Sequence, residues 1–268
     1  MEKTFAIICF IAFLQLLSPK LGSATFKNEM LRKSQIYSGK EITSNKITNP
    51  SSAAHYKPAA PCDPVTDMDG NVYHVIKIGK QCWMKENLKT AHFRDGFAIT
   101  EMEYNNDWPL TGNHGDHAKT GRAAWCYYER NKQNDYTYGK LYNWYAVTDS
   151  RNLCPTGWHV PSDEEFQLLS DFLGGDDSSG AHMKAIKLWG EKDGKCADNT
   201  SGFTALPAGI RYTNGSFGRT GSDGADFWSS SDYRRTTSLS RILYYGGPNL
   251  GRHDFDKRTG LSVRCVGD

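Results

Sequence analysis

The chain lacks several features that would assign it to a common functional class. Its formal net charge is only +2, and no basic cluster is interleaved with aromatic residues, which argues against binding to nucleic acid. It has no G-x-S-x-G elbow, no H-E-x-x-H motif and no phosphate-binding glycine loop, so no catalytic residue is assigned and an enzyme is not favoured. No cysteine pair is spaced as C-x-x-C, which argues against a zinc site.

The one long apolar run lies at the start of the chain. Met1, Glu2 and Lys3 precede an apolar stretch from Phe5 to Leu17, and small residues follow up to Ala24. This order predicts a secretory signal peptide over residues 1–24, with cleavage after Ala24. The alternative is an uncleaved anchor, although the run is short for a membrane span. No later segment is apolar enough to predict a transmembrane helix.

Residues 25–61 are rich in Ser, Asn, Lys and Pro and contain few large apolar residues. Such a composition predicts a disordered linker, because it cannot bury enough apolar surface to offset the entropy of ordering. The remaining residues, 62–268, are sufficient for one sizeable core. Aromatic residues make up 12% of the chain, there are 26 glycines, and helical patterns are scarce, which together predict a loop-rich domain with large side chains in its core.

Seven cysteines are present, of which Cys9 lies in the predicted signal peptide. An even number therefore remains in the mature chain, and behind a secretory signal this predicts disulfides. The remaining six are Cys62, Cys82, Cys126, Cys154, Cys196 and Cys265. The first two flank a small predicted meander and could form a disulfide that closes it, whereas the pairing of Cys126 and Cys196 stays open.

The clearest local signal is a helix that begins after Ser162. Ser162 and Glu165 have the spacing of a capping box, and the acidic first turn suits the positive end of the helix dipole. Phe166, Leu169 and Leu173 then define an apolar face, with Phe172 beside them, before two glycines end the helix.

Other segments predict a mixed architecture. Residues 183–189 and 138–147 are further candidates for short helices. Short strands are predicted at 72–78, 81–84 and 123–128, and a series of strands separated by Gly, Asn and Asp turns predicts an antiparallel sheet from about residue 201 to residue 266. The predicted fold class is therefore α+β, with two short helices packed on antiparallel sheets.

Two segments invite a metal-binding interpretation. Asp67, Asp69 and Asn71 are spaced like part of a calcium loop, but the position of the first acidic ligand is occupied by Val65, so a turn is favoured. His114 and His117 flank an irregular segment without helical periodicity, for which a polar surface loop is favoured. No metal site is predicted, and calcium is considered but not supported.

An ordered series of motifs runs along the domain: DMDGNVY, IGKQCWMKENL, YGKLYNWYAV, CPTGWHVPSDEEF, NTSGFTALPAGIR, FWSSS and GLSVRCV. This series resembles the Fibrobacter succinogenes major paralogous domain family of secreted bacterial proteins. The resemblance covers nearly the whole predicted mature chain. It implies a C-type-lectin-like fold, similar also to that of formylglycine-generating-enzyme-type domains.

The resemblance implies further properties. Cys154 would pair with Cys265, tying the ends of the domain together. The generating enzyme's activity rests on a cysteine pair near the C-terminus, and here Cys265 stands alone, so that activity is not carried over. From the sequence alone, the position of His159 between Trp158 and Val160 predicts a core or turn histidine. The sugar-binding Glu/Gln-Pro-Asn/Asp tripeptide of C-type lectins is also absent, since Pro248 and Asn249 follow a glycine.

Polar and aromatic residues in the glycine-rich C-terminal loops are the remaining candidates for a ligand surface. They are Asp223, Asp226, Trp228, Tyr244, Tyr245, Asn249, Asp254 and Asp256. Turn-forming acids and core aromatics are the competing interpretation. The function predicted on this basis is a secreted or surface-associated bacterial module, without a cofactor, that binds glycan or protein ligands through loops. The alternatives are a structural or adhesion component of the cell surface without a discrete small-molecule site, and an enzyme with an unrecognised site.

Overall fold

The computed structural model describes residues 62–103, 108, 121–189, 196–218 and 223–268. The predicted signal peptide (1–24), the predicted linker (25–61) and the segment that holds His114 and His117 lie outside these residues. Within the described residues, four short α-helices and fourteen short strands are found. The helices are α1 Gln133–Tyr138, α2 Trp144–Val147, α3 Asp163–Phe172 and α4 Ser179–Met183.

The strands are β1 Val65–Thr66, β2 Val72–Tyr73, β3 Val75–Ile78, β4 Gln81–Met84, β5 Thr100–Glu101, β6 Ala124–Tyr127, β7 Lys140–Tyr142, β8 Trp158–His159, β9 Ile210–Arg211, β10 Phe217–Gly218, β11 Gly224–Asp232, β12 Thr237–Tyr244, β13 Leu250–Asp256 and β14 Val266–Gly267. A 3-10 turn, Tyr128–Arg130, follows β6.

Two antiparallel sheets organise the domain. One has the strand order β3-β4-β14-β8, so the last strand inserts between a strand from the start of the domain and one from its middle. The other is the meander β11-β12-β13, which contains the longest strands. A third sheet, β5-β6-β7, includes one parallel pair. The described protein is thus mostly β-structure with a few short helices.

Both disulfides expected from the sequence are present, Cys62–Cys82 and Cys154–Cys265. The second joins the residue before the turn into β8 to the residue before β14, and so fastens two neighbouring strands of the first sheet. Cys126 and Cys196 belong to neither bond. Disulfides of this kind are typical of proteins that fold in an oxidising compartment. No helix among the described residues is long and apolar enough to cross a membrane.

Helix α3 confirms the sequence prediction. The Ser162 hydroxyl accepts a hydrogen bond from the Glu165 N–H at 3.1 Å, and the Glu165 carboxylate accepts one from the Ser162 N–H at 2.8 Å. Phe166 and Leu169 are fully buried, and the Phe166 ring lies 5.1 Å from that of Trp83. Phe172, by contrast, is 64% exposed.

The helix predicted over residues 183–189 is wrong. Helix α4 ends at Met183, and Lys184 is already extended. The backbone then pairs with another segment, since the Ala185 N–H donates to Ala205 O at 2.9 Å. Tertiary pairing therefore outweighs a weak local preference for helix.

The helix predicted over residues 138–147 is only half correct. Residues 140–142 form strand β7, and α2 begins after Asn143. The Asn143 side chain accepts from the Ala146 N–H, which is an N-cap in the middle of the predicted helix.

Candidate functional site

The turn that joins β12 to β13 brings together four of the residues predicted to contact a ligand. Tyr244 ends β12, Asn249 precedes β13, and the carbonyl of Asp223 accepts the Tyr245 N–H at 3.1 Å. Tyr244 and Tyr245 are 38% and 39% exposed, and Asn249 is exposed. We call these four residues the turn surface.

A buried cation holds this turn in place. The ammonium group of Lys184, whose residue is 1% exposed, donates to the carbonyls of Tyr244 and Gly247. Its Nζ lies 5.2 Å from the centre of the Trp189 ring. Two charge-assisted hydrogen bonds in a site shielded from water stabilise this conformation of the turn.

Helix α4 fixes the other side of the turn. The Ala181 N–H donates to Pro248 O at 2.9 Å, and the Leu250 N–H donates to Asp176 O at 2.8 Å. Gly180 permits this contact, because a Cβ at that position would lie 2.3 Å from Asn249 O. The turn is therefore packed against the helix as closely as the backbone allows.

The other predicted ligand residues lie elsewhere. Asp226 and Trp228 are fully buried in β11, and the Trp228 indole donates to Tyr142 O at 2.9 Å. They belong to the core and cannot line a surface. Asp254 is exposed but lies opposite Leu239 on β13, several residues along the strand from the turn. Asp256, also a candidate, is bonded to Arg258 at 2.7 Å.

A surface groove of about 370 Å³ lies beside helix α4. No residue that lines it was predicted as a ligand contact. The lining residues are Lys77, Ile78, Gly79, Phe172, Leu173, His182, Thr200 and Ser201. They come from the β3–β4 turn, the end of α3, helix α4 and the segment before Phe203, and only the fold brings these four together.

A hydrogen-bonded cluster forms one wall of the groove. His182 Nδ1 lies 2.9 Å from Asp198 Oδ2 and 2.8 Å from Thr200 Oγ1. The Thr200 hydroxyl donates to Asp198 Oδ1 at 2.8 Å, so its proton is already used. Nδ1 must then be the donor to this cluster, which leaves Nε2 of the neutral ring as an acceptor.

His159 is not a core residue but a half-exposed link between three segments. Its Nε2 lies 2.8 Å from Glu165 Oε1 and its Nδ1 lies 2.7 Å from Asp268 Oδ1. The hydrogen bond to Glu165, with that to Asp268, raises the pKa of His159 above its ordinary value. The histidine therefore ties the last residue of the chain to the first turn of α3.

A smaller cavity of about 130 Å³ adjoins Glu101 and Cys126. Burial raises the pKa of the Cys126 thiol to about 11, so it stays protonated at neutral pH and is a poor nucleophile. Burial also raises the pKa of the Glu101 carboxyl. Cys126 is thus not an activated nucleophile of the kind that covalent catalysis uses.

In the DMDGN segment, the carboxylate of Asp67 stabilises a turn. Asp67 accepts hydrogen bonds from the backbone N–H groups of Asp69 and Asn71, both at 2.9 Å, and from the Tyr73 hydroxyl at 2.6 Å. The Asp67 carboxylate is thus the acceptor around which this turn is built. In the part of the chain that the structure describes, no group of three or more potential metal-ligating side chains is found.

These observations define a class: a mostly-β, disulfide-tied domain that presents loops and a groove on a closely packed scaffold. Within that class the family is clear. Residues 76–267 match the Fibrobacter succinogenes major domain, and the chain belongs to that family. No curated protein matches the chain, and no solved structure matches it either.

Proposed function

We propose that this protein is a secreted or cell-surface recognition module that binds a glycan or protein ligand through the turn surface. The observation that carries the proposal is the buried Lys184 ammonium beneath two partly exposed tyrosines. A binding loop that is already ordered loses little entropy when it meets its ligand.

The chemistry of the turn suits recognition. Tyr244 and Tyr245 each offer a flat apolar face and a hydroxyl at low cost in side-chain entropy, which is why tyrosine is enriched in binding loops. The exposed Asn249 adds a donor and an acceptor. No charged side chain is needed for such contacts, which agrees with the nearly neutral net charge of +2.

We further propose a C-type-lectin-like arrangement for the scaffold. In support, the Cys154–Cys265 bond spans 111 residues and fastens the last strand to a strand from the middle of the domain. Secretion by way of the signal peptide at residues 1–24 is part of the same proposal.

The test is a glycan array probed with the oxidised protein, with calcium and again with a chelator, alongside capture of extracellular proteins for identification by mass spectrometry. The test variant is Tyr244→Ala/Tyr245→Ala. The matched control is Tyr233→Ala, which is 46% exposed but lies between β11 and β12, at the opposite end of the meander.

We expect the double variant to weaken binding at least about tenfold, the loss of one or two interfacial aromatic contacts, and the control to bind like the parent protein. Binding that survives the chelator is expected, since the proposed contacts involve no metal. Equal binding by both variants would refute a role for the turn surface. Absence of any glycan or protein ligand would favour a structural or adhesion component.

A further inference from the structure

The groove next to α4 presents one apolar wall and one polar wall, and the apolar wall is the ring of Phe172. Three of its carbons lie within 3.5 Å of the position that a Cβ would occupy at Gly79. The ring therefore rests on a residue without a side chain, while Phe172 remains 64% exposed. A ring supported on one side and open on the other is a platform for stacking.

The polar wall is rigid. The Ser201 hydroxyl donates to His182 O at 2.7 Å, and the Asn199 side chain both accepts from the Thr204 N–H at 2.8 Å and donates to its hydroxyl. Asn199 and Thr204 adopt left-handed backbone angles with φ of 50° and 59°. Side-chain hydrogen bonds of this kind compensate such a conformation and hold the segment in shape.

The hydrogen-bonding groups on this wall are already oriented. Asp198 and Thr200 fix a proton of His182 on Nδ1, so that Nε2 of the neutral ring is an acceptor for a hydroxyl donor. In the described residues, no hydrogen bond to Nε2 of His182 is found, and its side chain is 35% exposed. The exposed ammonium of Lys77 adds donors at the rim.

We propose that this groove is a saccharide-binding subsite, in which a pyranose ring stacks on Phe172 and one of its hydroxyls donates to His182. A pyranose combines a flat C–H face with a polar edge, and the two walls match these two features. A wholly apolar ligand would leave the histidine cluster without a polar partner, and an anionic ligand would be disfavoured by the negative face of the Phe172 ring. The subsite rests on the proposed recognition function but not on the turn surface.

The experiment is a titration of the purified oxidised protein by calorimetry, with saturation-transfer NMR to identify the sugar protons in contact. The probes are disaccharides of glucose, xylose, galactose, mannose and N-acetylglucosamine. The test variants are Phe172→Ala and His182→Ala. Leu168→Ala is the control for the first, since it is 61% exposed on the same helix and does not line the groove. His74→Ala, which removes a surface histidine bonded to Glu86, is the control for the second.

We expect at least one probe to bind, with saturation transfer strongest at the C–H face. Phe172→Ala should reduce the affinity about tenfold or more, as is usual for an anchoring aromatic side chain. His182→Ala should reduce it about fivefold, the loss of one hydrogen bond. Both control variants should bind like the parent protein.

Each contrary result has its own meaning. Equal losses for Leu168→Ala and Phe172→Ala would overturn the stacking role. Saccharide binding that depends on the turn surface but not on the groove would overturn this inference and leave the proposed function standing. Binding that depends on the groove alone would support the subsite and would refute the turn surface as the ligand-binding site. If no probe binds, the inference fails, while protein recognition by the turn surface is unaffected.

Discussion

One carboxylate in the first turn of α3 binds two arginines of very different exposure, and this provides an internally controlled test of the electrostatics. Asp163 Oδ1 accepts from Arg241 Nε at 2.9 Å, and Oδ2 accepts from Arg252 Nε at 2.7 Å. The side chain of Arg241 is 0% exposed, whereas that of Arg252 is 49% exposed. The same anion therefore serves a buried pair and a surface pair.

The contributions of the two ion pairs to the free energy of unfolding should differ several-fold. Removing one partner of a buried ion pair costs about 3–5 kcal/mol, because the other charge stays in a poorly solvated site. Arg241 would keep hydrogen bonds to Gln167 and to the carbonyl of residue 163, both at 3.1 Å. We therefore expect Asp163→Ala to lower the free energy of unfolding by about 3 kcal/mol, near the lower end of this range. The surface pair should contribute about 0–1 kcal/mol, so Arg252→Met should be nearly neutral.

Urea denaturation of the oxidised protein measures both effects as free energies of unfolding. Methionine retains most of the apolar stem of arginine, so Arg241→Met combined with Asp163→Ala removes both buried charges with little loss of volume. We expect this double variant to be more stable than Asp163→Ala alone, because it also removes the buried Arg241 charge, which would otherwise be paired, among the described residues, only with Asp176 at 3.6 Å. A cost below about 1 kcal/mol for Asp163→Ala, or an equal cost for Arg252→Met, would refute the reasoning.

Three further predictions concern stability. Replacing both Cys154 and Cys265 by alanine should lower the free energy of unfolding by about 4–5 kcal/mol in the chain-entropy model, because the loop spans 111 residues; a loss below about 2 kcal/mol in urea denaturation would contradict that model. The hydrogen bond to Glu165 raises the pKa of His159. The protonated histidine therefore stabilises the folded protein fully below about pH 6.5, and this stabilisation is lost as pH rises through the pKa of the folded state. Melting temperatures at several pH values should decline with pH more steeply for the parent protein than for His159→Asn, and parallel curves would refute this. Ser162→Ala should cost about 1 kcal/mol and Ser162→Gly only a few tenths, and equal denaturation midpoints for the two variants would contradict an N-cap role.

Helix α3 could be predicted because its determinants are local. The capping box lies within four residues, and the apolar spacing lies within three turns. The conformation of the segment after Met183 could not be predicted in this way, because it depends on pairing between Ala185 and Ala205, which are twenty positions apart. Short helices have little intrinsic stability, so a single distant strand can decide the outcome.

The ligand residues predicted in β11 show a different limit. Alternation along a strand indicates one buried and one exposed face, but residues 224–229 are all buried. Helices α2 and α3 both pack against this strand. Asp226 and Trp228 therefore lie inside the domain although they follow a glycine-rich segment, and no local pattern distinguishes that position from a loop.

The groove could not be predicted at all. Its walls come from four segments that are far apart in the chain, and none of them carries a binding motif. Phe172 looked like part of the apolar face of α3, but the helix places it 64% exposed beside Gly79. Concave sites of this kind depend on tertiary structure, and only the packed fold discloses them.

Four of the seven sequence motifs meet at a buried cation, the guanidinium of Arg264. Arg264 of the last motif donates to Asn87 Oδ1 at 2.9 Å, to the Phe203 carbonyl and to the Thr204 carbonyl at 2.9 Å. Its guanidinium lies 4.2 Å from the centre of the Phe203 ring and 5.4 Å from the centre of the Phe227 ring. These partners belong to three other motifs. A loop-rich fold has many carbonyls without a partner in a helix or sheet, and a buried guanidinium supplies several donors to them at once. These motifs thus contribute to the scaffold around Arg264. The four residues of the turn surface lie outside the motifs, whereas half of the residues that line the groove belong to them: Ile78, Gly79, Thr200 and Ser201.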